Sequence, residues 1–428
     1  MLSLIEEMKQ GPEAYPALHQ KFEKAKEGLL RETKNYRLDA PYEVASYNSR
    51  LILEESVWYL DDYVREMEGE YAEQDPMTME ECGMVVEESL TGRHKVEALC
   101  MGNIDETEAR EACKIVEDHF YAKKISRPLA ESEIPTFRSM QLPTREEAKH
   151  IFGSDVIVTG NRSVPLVYQE LAYSASEENH AIEYIIQTGS ELELEYDGLA
   201  LLELVSHISY NSAYNRLRTN EQLGYIVSTF SRKTVGGGWG LSAVVQSSVA
   251  LPEKLEERVE AWLETFRSEI EEEDPENLAM EAAAVVSQLK ERDTKLSQEV
   301  NQFWGEIVNT ETYSTRLREP CFDRIDRIAD ELSLMTDSST DKTTMNGNER
   351  MTPEQLKQRM LDFFDKYLSA SSPTRRAMSA RVYNQKAKDV YEANIGKPGI
   401  LSTFDDIRHV KQFLPTKPIA PYWRQDKQ

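Results

Sequence analysis

Apolar residues recur every three to four positions through the N-terminal part of the chain, which is the spacing of an amphipathic helix. Phe22 and Leu29 lie on one such face, and a second periodic run opens with Pro41, a residue favoured in the first turn of a helix. Residues 94–103 form a largely apolar run that predicts a strand instead. Asp105 follows as a helix N-cap, so the pattern predicts the order helix, helix, strand, helix.

The regular pattern stops over residues 122–146, which contain three prolines and several Ser and Thr. Such a stretch is typical of a linker between domains. We therefore predict a first domain at 1–125, a linker at 126–142 and a second domain at 143–428. Within the second domain, residues 335–350 are rich in Ser, Thr, Asn and Asp and are predicted to form a polar surface loop.

The second domain carries strand and helix patterns in blocks. Its strand-like runs lie at 155–160, 181–189, 224–233, 239–247 and 375–384, and its helix patterns lie at 197–219, 252–270, 275–292, 296–309 and 353–370. The glycines at 236–238 predict a hairpin turn rather than a phosphate-binding loop, because no GK[ST] follows and the run leads into a strand. Blocks of strands and helices favour an α+β fold in which helices cover one face of a mainly antiparallel sheet.

The charge of the chain excludes some classes of partner. Lysine and arginine number 50 against 76 aspartate and glutamate, so the formal net charge is −26. A field of this sign repels polyphosphates and anionic lipid headgroups, which argues against nucleic-acid binding and membrane association. No apolar run is long enough to span a bilayer, and the first residues are charged where a signal peptide requires an apolar core. These features predict a cytoplasmic protein.

The four cysteines occur without a CxxC pair or the short spacing of a metal site; they are Cys82, Cys100, Cys113 and Cys321. This distribution favours reduced thiols over a disulfide framework or a zinc ribbon. We predict that all four are buried and act as small hydrophobic residues.

Zinc-hydrolase motifs do not occur in the sequence, because it contains neither HExxH nor HxxEH. Residues 94–98 and 180–184 come nearest, each with a histidine followed three residues later by a glutamate. The fifth position is alanine in one and tyrosine in the other, and both lie in strand patterns, where residues four apart do not face one metal as they do on a helix. His94 and His180 are therefore predicted to be ordinary strand residues, and no metal ligand is assigned to this chain.

The stretch "RLRTNEQLGYIV" at 216–227 joins a helix end, a glycine and a strand start. On general grounds, Arg218 complements the helix dipole, Gly224 serves the turn, and Tyr225 begins the strand with its ring buried. The alternative is functional: a guanidinium and a phenol, both hydrogen-bond donors, point from one junction toward a ligand carbonyl. The residue types alone favour the structural interpretation.

The same stretch, within the longer "YNRLRTNEQLGYIVSTFSR", resembles the C-terminal half of the insulysin/pitrilysin family of zinc metallopeptidases. The downstream sequences "GLSAVVQS", "RVEAWL" and "KLSQEVNQFWGEI" match in the same order. Upstream, "KFEKAKEGLLRETKNYRLDAPYEVASYNSRLILEESVW" and "HKVEALCMGNI" look like the later part of the third domain of that family. The resemblance covers nearly the whole chain.

This resemblance implies a zinc metallopeptidase of two bowl-shaped halves, each with two related α/β-roll domains, that close around peptides in a chamber. Residues 1–125 would be the later part of the third roll domain, truncated at its N-terminus, and residues 143–428 the fourth. The zinc ligands belong to the N-terminal half, so zinc is the implied cofactor of the full-length enzyme and is not bound by this chain. The implied partners are peptide substrates and a matching N-terminal half, and homo-oligomer formation stays open.

The resemblance also implies that Arg218 and Tyr225 reach into the active site, hold the substrate backbone and help to stabilise charge on the scissile carbonyl. Preorganised donors of this kind contribute roughly 3 kcal/mol each. Gly224 would let the chain turn so that Tyr225 faces the chamber, with Glu221 and Gln222 supporting the turn.

The sequence departs from the family because it contains none of the first two domains, including the zinc site and the catalytic base. We therefore expect a fragment of an insulysin-like endopeptidase that is inactive in isolation. Two other interpretations remain. One is a non-catalytic peptide-binding or partner subunit, and the other is a scaffold in which Arg218 and Tyr225 only pack.

In relatives, an anion-binding basic cluster lies just before the helix that begins "KLS". Here that place reads "LKERDTKLS", so Lys290, Arg292 and Lys295 are diluted by two acidic residues. The resemblance therefore implies a weak anion site at these three residues and argues against regulation by nucleotide or polyphosphate.

Overall fold

The structure is a computed structural model, and it describes residues 2–69, 75–119, 126–130, 133, 138–153, 164–308, 321–336 and 351–417. Its α-helices are α1 Leu2–Lys9, α2 Gly11–Ala14, α3 Pro16–Asn35, α4 Pro41–Leu53, α5 Leu60–Glu68, α6 Met79–Thr91, α7 Glu106–Glu117, α8 Arg145–Phe152, α9 Glu191–Ala213, α10 Pro252–Glu272, α11 Pro275–Leu289, α12 Leu296–Val308, α13 Arg324–Thr336, α14 Pro353–Phe363, α15 Lys388–Asn394 and α16 Phe404–Lys411. Its strands are β1 Arg93–His94, β2 Arg127–Pro128, β3 Ser139–Met140, β4 Leu166–Leu171, β5 His180–Ser190, β6 Ile226–Thr234, β7 Gly238–Ser247, β8 Arg376–Tyr383, β9 Ile400–Leu401 and β10 Thr416–Lys417.

The chain divides into two compact units. The first comprises Met1–Leu38, Trp58–Thr136 and Asp293–Val308, and the second comprises Asp39–Val57, Phe137–Arg292 and Asn309–Gln428. Relative to the predicted boundaries at 1–125 and 143–428, residues 39–57 belong to the second unit and residues 293–308 to the first. The assignment of these units to a third and a fourth roll domain stays a prediction.

The first unit is mainly helical. α1 packs on α6 and α3 packs on α5, and Ile5, Met67 and Met79 are among the buried apolar side chains. Asp105 caps α7 as predicted, because its side chain accepts a hydrogen bond from the N–H of Glu108 at 2.9 Å. α7 itself buries none of its residues.

A six-stranded sheet with the order β6-β7-β5-β8-β4-β9 forms the centre of the second unit. The pairs from β6 to β8 are antiparallel, and the pairs of β4 with β8 and with β9 are parallel. The predicted hairpin is confirmed, since β6 pairs with β7 and the turn has φ values of 93° at Gly236 and 76° at Gly237. In the described part of the sheet, β6 is an edge strand that begins directly after Tyr225.

Helices cover both faces of this sheet, so the predicted coverage of one face is wrong. Side chains of neighbouring strand residues point to opposite faces. On β5, the Tyr184 hydroxyl donates to Glu260 of α10, whereas the next-door Glu183 accepts from Ser49 of α4. The helix on the second face, α4, comes from the segment that the sequence assigned to the first domain, and no local pattern in the sheet strands indicates it.

The main hydrophobic core of the second unit lies between the sheet and the helices on the α10 side. Trp262 and Phe266 of α10 stack there with ring centroids 5.6 Å apart, and both side chains are fully buried. Burial of one such large apolar side chain contributes roughly 1.5–3 kcal/mol. This core fixes the helices that lead into the junction at 216–227.

The strand predicted at 94–103 is mostly wrong. Only Arg93–His94 forms a strand, and it pairs in parallel with Arg127–Pro128. A strand requires a neighbour to satisfy its backbone groups, and within the described ranges β1 has this two-residue partner only. The apolar composition of the run therefore does not extend the strand.

The prediction that all four cysteines are buried is also wrong. Cys321 is buried and Cys82 is half-buried, but Cys100 and Cys113 are exposed. Cys113 is exposed because it lies on α7, none of whose residues is buried. All four are free thiols.

Several predicted segments fall wholly or partly outside the described residues. The strand at 155–160 lies outside them, as does the loop at 335–350 from residue 337 onward. In the linker predicted at 126–142, Met140 and Leu142 are buried, and β3 pairs antiparallel with β10. Among the helices described, none is both long and apolar enough to cross a membrane.

Candidate functional site

The junction between α9 and β6 contains an unusual helical turn. α9 continues into a π-helical segment over Tyr214–Asn220, in which the N–H of Glu221 donates to the carbonyl of Arg216 at 3.0 Å. Leu217 and Leu223 are buried, and the N–H of Leu223 donates to the carbonyl of Leu217 at 3.0 Å. π-Helical turns are rare and occur frequently at functional sites. The two buried leucines therefore fix a non-standard turn at the predicted site.

Arg218 and Tyr225, the two predicted substrate contacts, touch each other in this junction. The guanidinium carbon of Arg218 lies 4.2 Å from the ring centroid of Tyr225 and 4.6 Å from that of Tyr214. Both distances are within the range of cation–π contacts. Tyr225 is 77% exposed, so the prediction that its ring is buried is wrong.

Among the described residues, the hydrogen-bond donors of Arg218 and Tyr225 face no acceptor. Within the described part of the chain, neither the Arg218 guanidinium nor the Tyr225 hydroxyl has a hydrogen-bond or ion-pair partner. A half-buried guanidinium and an exposed phenol held together in this way can donate to a carbonyl or carboxylate of a ligand.

Two tyrosines that the sequence did not single out extend this surface. Tyr210 and Tyr214 have ring centroids 6.2 Å apart, and Tyr210 is exposed. Together with Arg218 they stand four residues apart along α9 and the π-helical turn, and this spacing is the signal that could have identified them. The guanidinium of Arg218 therefore contacts two aromatic rings, one half-buried at Tyr214 and one exposed at Tyr225.

Gly224 is required by a close approach rather than by a left-handed backbone. A Cβ built on Gly224 would lie 1.8 Å from the carbonyl oxygen of Gln246 in β7, so no side chain fits there. The left-handed residue of the turn is Gln222, with a φ of 52°. The reason predicted for the glycine, freedom to turn, is thus replaced by a steric one.

Glu221 connects the junction to α10. Its carboxylate accepts two hydrogen bonds from Arg258 at 2.6 Å each and one from Arg216 at 2.7 Å. The hydrogen bond from Arg258 is the main cause that holds the pKa of Glu221 below its usual value. This carboxylate joins the end of the π-helical segment to α10, and its predicted role in supporting the turn stays a prediction.

The three residues of the predicted weak anion site do not all present a free charge. Lys290 pairs with Asp330 at 2.7 Å, which neutralises part of its field. Arg292 and Lys295 are exposed, but Lys295 belongs to the first unit and Lys290 and Arg292 to the second. The anion site at these residues stays a prediction.

The residues that the structure describes do not form a zinc site. In the described ranges, no group of three or more His, Cys, Asp or Glu side chains could hold a metal ion. His180 uses Nδ1 to accept the N–H of Asn384 at 3.1 Å, and Glu183 accepts from Ser49, Ser242 and Arg232. In the other near-miss motif, Nε2 of His94 lies 3.4 Å from Oγ of Ser126, and Glu97 pairs with Lys95. Both motifs are therefore engaged in internal contacts.

A family model and the sequences of curated proteins both match this chain, and they point to related proteins. The family described as PQQ synthase PqqF-like, C-terminal lobe domain 4, matches residues 204–304, which include Arg218, Gly224 and Tyr225. Human insulin-degrading enzyme is 30% identical over 289 residues, which cover 68% of this chain and 25% of the relative. Insulin-degrading enzyme-like 1, peroxisomal, of Arabidopsis thaliana is 26% identical over 411 residues, which cover 94% of this chain and 36% of the relative.

A solved structure shows the same fold. The crystal structure of pitrilysin superimposes with a TM-score of 0.64 at 18% sequence identity, and the match covers 95% of this chain and 37% of that chain. The mixed helix-and-sheet architecture is thus that of a lobe of a larger peptidase fold. The chain belongs to the insulysin/pitrilysin family and corresponds to its C-terminal part. It spans 25% and 36% of the lengths of the two curated relatives named above.

Proposed function

We propose that this chain is the C-terminal, substrate-clasping half of an insulysin-like zinc metalloendopeptidase that degrades peptides in an enclosed chamber. A matching N-terminal half supplies the zinc site and the catalytic base. The 428-residue chain alone cleaves no peptide.

The pair of half-buried Arg218 and exposed Tyr225 carries this proposal. Its donors have no partner among the described residues, it lies in the segment that matches the family's C-terminal lobe, and the turn that presents it is held by buried leucines. Stacking against Tyr214 and Tyr225 restricts the rotamers of Arg218, so less conformational entropy is lost when it binds a substrate.

The two donors fit a defined step of peptide hydrolysis. As water adds to the scissile carbonyl, negative charge develops on the carbonyl oxygen, and donors that are already in place stabilise it more than they stabilise the substrate. Arg218 supplies a permanent positive charge with several N–H groups, and Tyr225 supplies one O–H group. In this proposal both hold the peptide backbone, and no residue of this chain acts as nucleophile or base.

Reconstitution tests the proposal. The chain mixed with the N-terminal half of an insulysin-family enzyme should cleave a fluorogenic peptide that neither part cleaves alone. Arg218→Ala and Tyr225→Phe should each lower kcat by about a hundredfold, the usual effect of removing one such donor. Circular dichroism should show that both variants remain folded.

Matched variants control for loss of an exposed residue of the same type. Arg408 also stacks on a ring, with 4.5 Å to the Phe404 centroid, and Tyr173 is 64% exposed. Arg408→Ala and Tyr173→Phe should leave kcat unchanged. Wild-type turnover in both Arg218→Ala and Tyr225→Phe would return the pair to a packing role, and peptide binding without any reconstituted cleavage would favour the non-catalytic peptide-binding or partner subunit.

The remaining sequence predictions belong to this proposal. We propose a cytoplasmic location, peptide substrates, and zinc as cofactor of the assembled enzyme only. A weak anion site at Lys290, Arg292 and Lys295 is part of it, with Lys290 already paired to Asp330. Homo-oligomer formation is to be determined by light scattering of the purified chain.

A further inference from the structure

We propose that Glu221 is a positioning residue that holds Arg218 and Tyr225 in the geometry that contacts the substrate. The inference rests on the proposed function, because that function gives the two donors a substrate to bind. Glu221 is assigned no substrate contact of its own and acts through the turn that carries the pair.

The contacts of Glu221 fix the orientation of its carboxylate as well as the distance of this carboxylate from α10. Arg258 donates from Nε to Oε2 and from a terminal nitrogen to Oε1, both at 2.6 Å. Arg216 donates from Nε to Oε1 at 2.7 Å. A two-pronged pair between guanidinium and carboxylate is more directional than a single ion pair. Glu221 thereby ties the end of the helical segment to a helix distant in sequence.

α10 is a firm anchor for this pair. Leu255, Val259 and Trp262 lie on the same helix around Arg258, and all three are buried in the core of the second unit. Movement of Arg258 would therefore disturb the packed core, which makes the Glu221 carboxylate a fixed point in the junction.

The turn that Glu221 restrains is strained. Gln222, the next residue, has a φ of 52°, in the left-handed region that residues other than glycine adopt uncommonly. Such a conformation persists where surrounding contacts over-determine it. Glu221 stands three residues after Arg218 and four before Tyr225, so relaxation of the turn would separate the guanidinium from the ring.

Glu221 also balances the charge of the junction. Its single carboxylate pairs with Arg216 and Arg258, and Arg218 lies two residues from Arg216. An amide in place of the carboxylate would leave the guanidiniums of Arg216 and Arg258 without this counter-charge. Their mutual repulsion would then move the chain that carries Arg218. The lowered pKa of Glu221 means that the carboxylate is ionised at neutral pH.

A spectroscopic test on the full chain needs no activity. The Nε–Hε resonance of Arg218, assigned with Arg218→Lys, should be shifted by the ring currents of Tyr214 and Tyr225 in the wild type. Glu221→Gln should move this resonance toward the position of an unstacked arginine. Glu257→Gln is the matched control, because Glu257 forms an exposed 2.6 Å pair with Lys254 on α10, and it should leave the resonance unchanged.

A kinetic test uses the reconstituted enzyme. Glu221→Gln should lower kcat by about tenfold to a hundredfold, the effect of small misplacements of binding groups. KM should change less than kcat, because the donors act on charge that develops during the reaction. In a double variant of Arg218→Ala with Glu221→Gln, the loss should be smaller than the product of the two single losses, since Glu221 acts partly through Arg218. Arg258→Gln removes the other partner of the Glu221–Arg258 pair and should reproduce these effects. This variant replaces Glu221→Gln in the test if Glu221→Gln does not fold.

The outcomes separate this inference from the proposed function. An unshifted Arg218 resonance with unchanged kcat in Glu221→Gln overturns the inference alone, and so do losses that multiply in the double variant. Wild-type cleavage by both Arg218→Ala and Tyr225→Phe overturns the role of the pair in the proposed function, whereas the resonance shift still reports whether Glu221 positions the pair.

Discussion

Gly224 and Tyr225 are neighbours in the chain and meet opposite constraints. A Cβ at Gly224 would collide with the carbonyl oxygen of Gln246, so only hydrogen fits between the turn and β7. The ring of Tyr225, one residue later, is mostly exposed and contacts Arg218. The close approach at the glycine therefore sets where β6 begins, and the following side chain is directed out of the core.

Gly224→Ala should destabilise the chain. The added methyl group would lie 1.8 Å from a backbone oxygen, and relief requires movement of β7 away from the turn. Overpacking of this kind costs about 1–3 kcal/mol. The urea midpoint of unfolding of the second unit, followed by tryptophan fluorescence, should fall accordingly.

Gly28→Ala is the matched control for this substitution. Gly28 lies inside α3, and a Cβ there would meet no atom within 4 Å. Alanine in a helix interior is favoured over glycine by roughly 0.5–1 kcal/mol, so this variant should be slightly more stable than the wild type. A Gly224→Ala protein as stable as the wild type would contradict the close approach.

The residue types at 216–227 alone predict a buried Tyr225, which the structure contradicts. The family resemblance marks Arg218, Gly224 and Tyr225 as candidate site residues, and this assignment stays a prediction. The partner of Glu221 could not be found in the same way, since Arg258 lies 37 residues later and nothing in the local pattern joins them. Contacts between distant elements follow from packing, which a periodicity does not contain.

At the scale of elements, β5 shows why the sequence predicts the sheet correctly but predicts wrongly that helices cover only one of its faces. Nearly every residue of β5 is buried, and residues 181–186 are apolar except for Glu183, so its centre shows an apolar run rather than alternation. Such a run predicts a strand but does not say which helices cover it. Glu183 interrupts this run, and one of its partners, Ser49 of α4, is 134 residues away in the sequence.

His180, at the start of β5, predicts a pH dependence of stability. Burial lowers its pKa below the usual value near 6.5, and Nδ1 accepts the N–H of Asn384, which a protonated ring could not do. The unfolded chain therefore binds a proton on this histidine more readily than the folded chain, and stability falls as pH falls below 6.5 toward the lowered pKa. Urea unfolding at pH 7 and at pH 5 should show a steeper loss for the wild type than for His180→Gln.

His409→Gln serves as the control for that comparison. His409 lies on the exposed side of α16 and contacts Phe413, so its removal should leave the difference between pH 7 and pH 5 as in the wild type. If His180→Gln keeps the full pH dependence, other groups are responsible for it.

At the scale of the whole molecule, the chain is a strongly acidic protein of two units that corresponds to the C-terminal part of its family. Its functional contacts in the proposal lie in one unit, at the junction between α9 and β6. The net charge of −26 favours cations in general, so loosely bound zinc must be distinguished from a zinc site.

The isolated chain should hold no stoichiometric zinc. Among the described residues no three ligand side chains converge, and the His180 and Glu183 positions are engaged in internal hydrogen bonds. After incubation with zinc and dialysis, mass spectrometry of the metal content should give well under one zinc per chain. Addition of a matching N-terminal half should raise this to one zinc per pair. One zinc per isolated chain that survives dialysis would contradict the assignment of the metal to the other half.

Because of the π-helical segment at Tyr214–Asn220, the site tolerates a change in the number of residues between Tyr214 and Tyr225 less well than a substitution. Removal of one residue from a helix rotates everything beyond it by about 100°. Such a change between Tyr214 and Tyr225 would turn Arg218 away from one ring or the other, whatever residues stood there. Substitutions alter the strength of these contacts, but an insertion or deletion removes the alignment on which all of them depend.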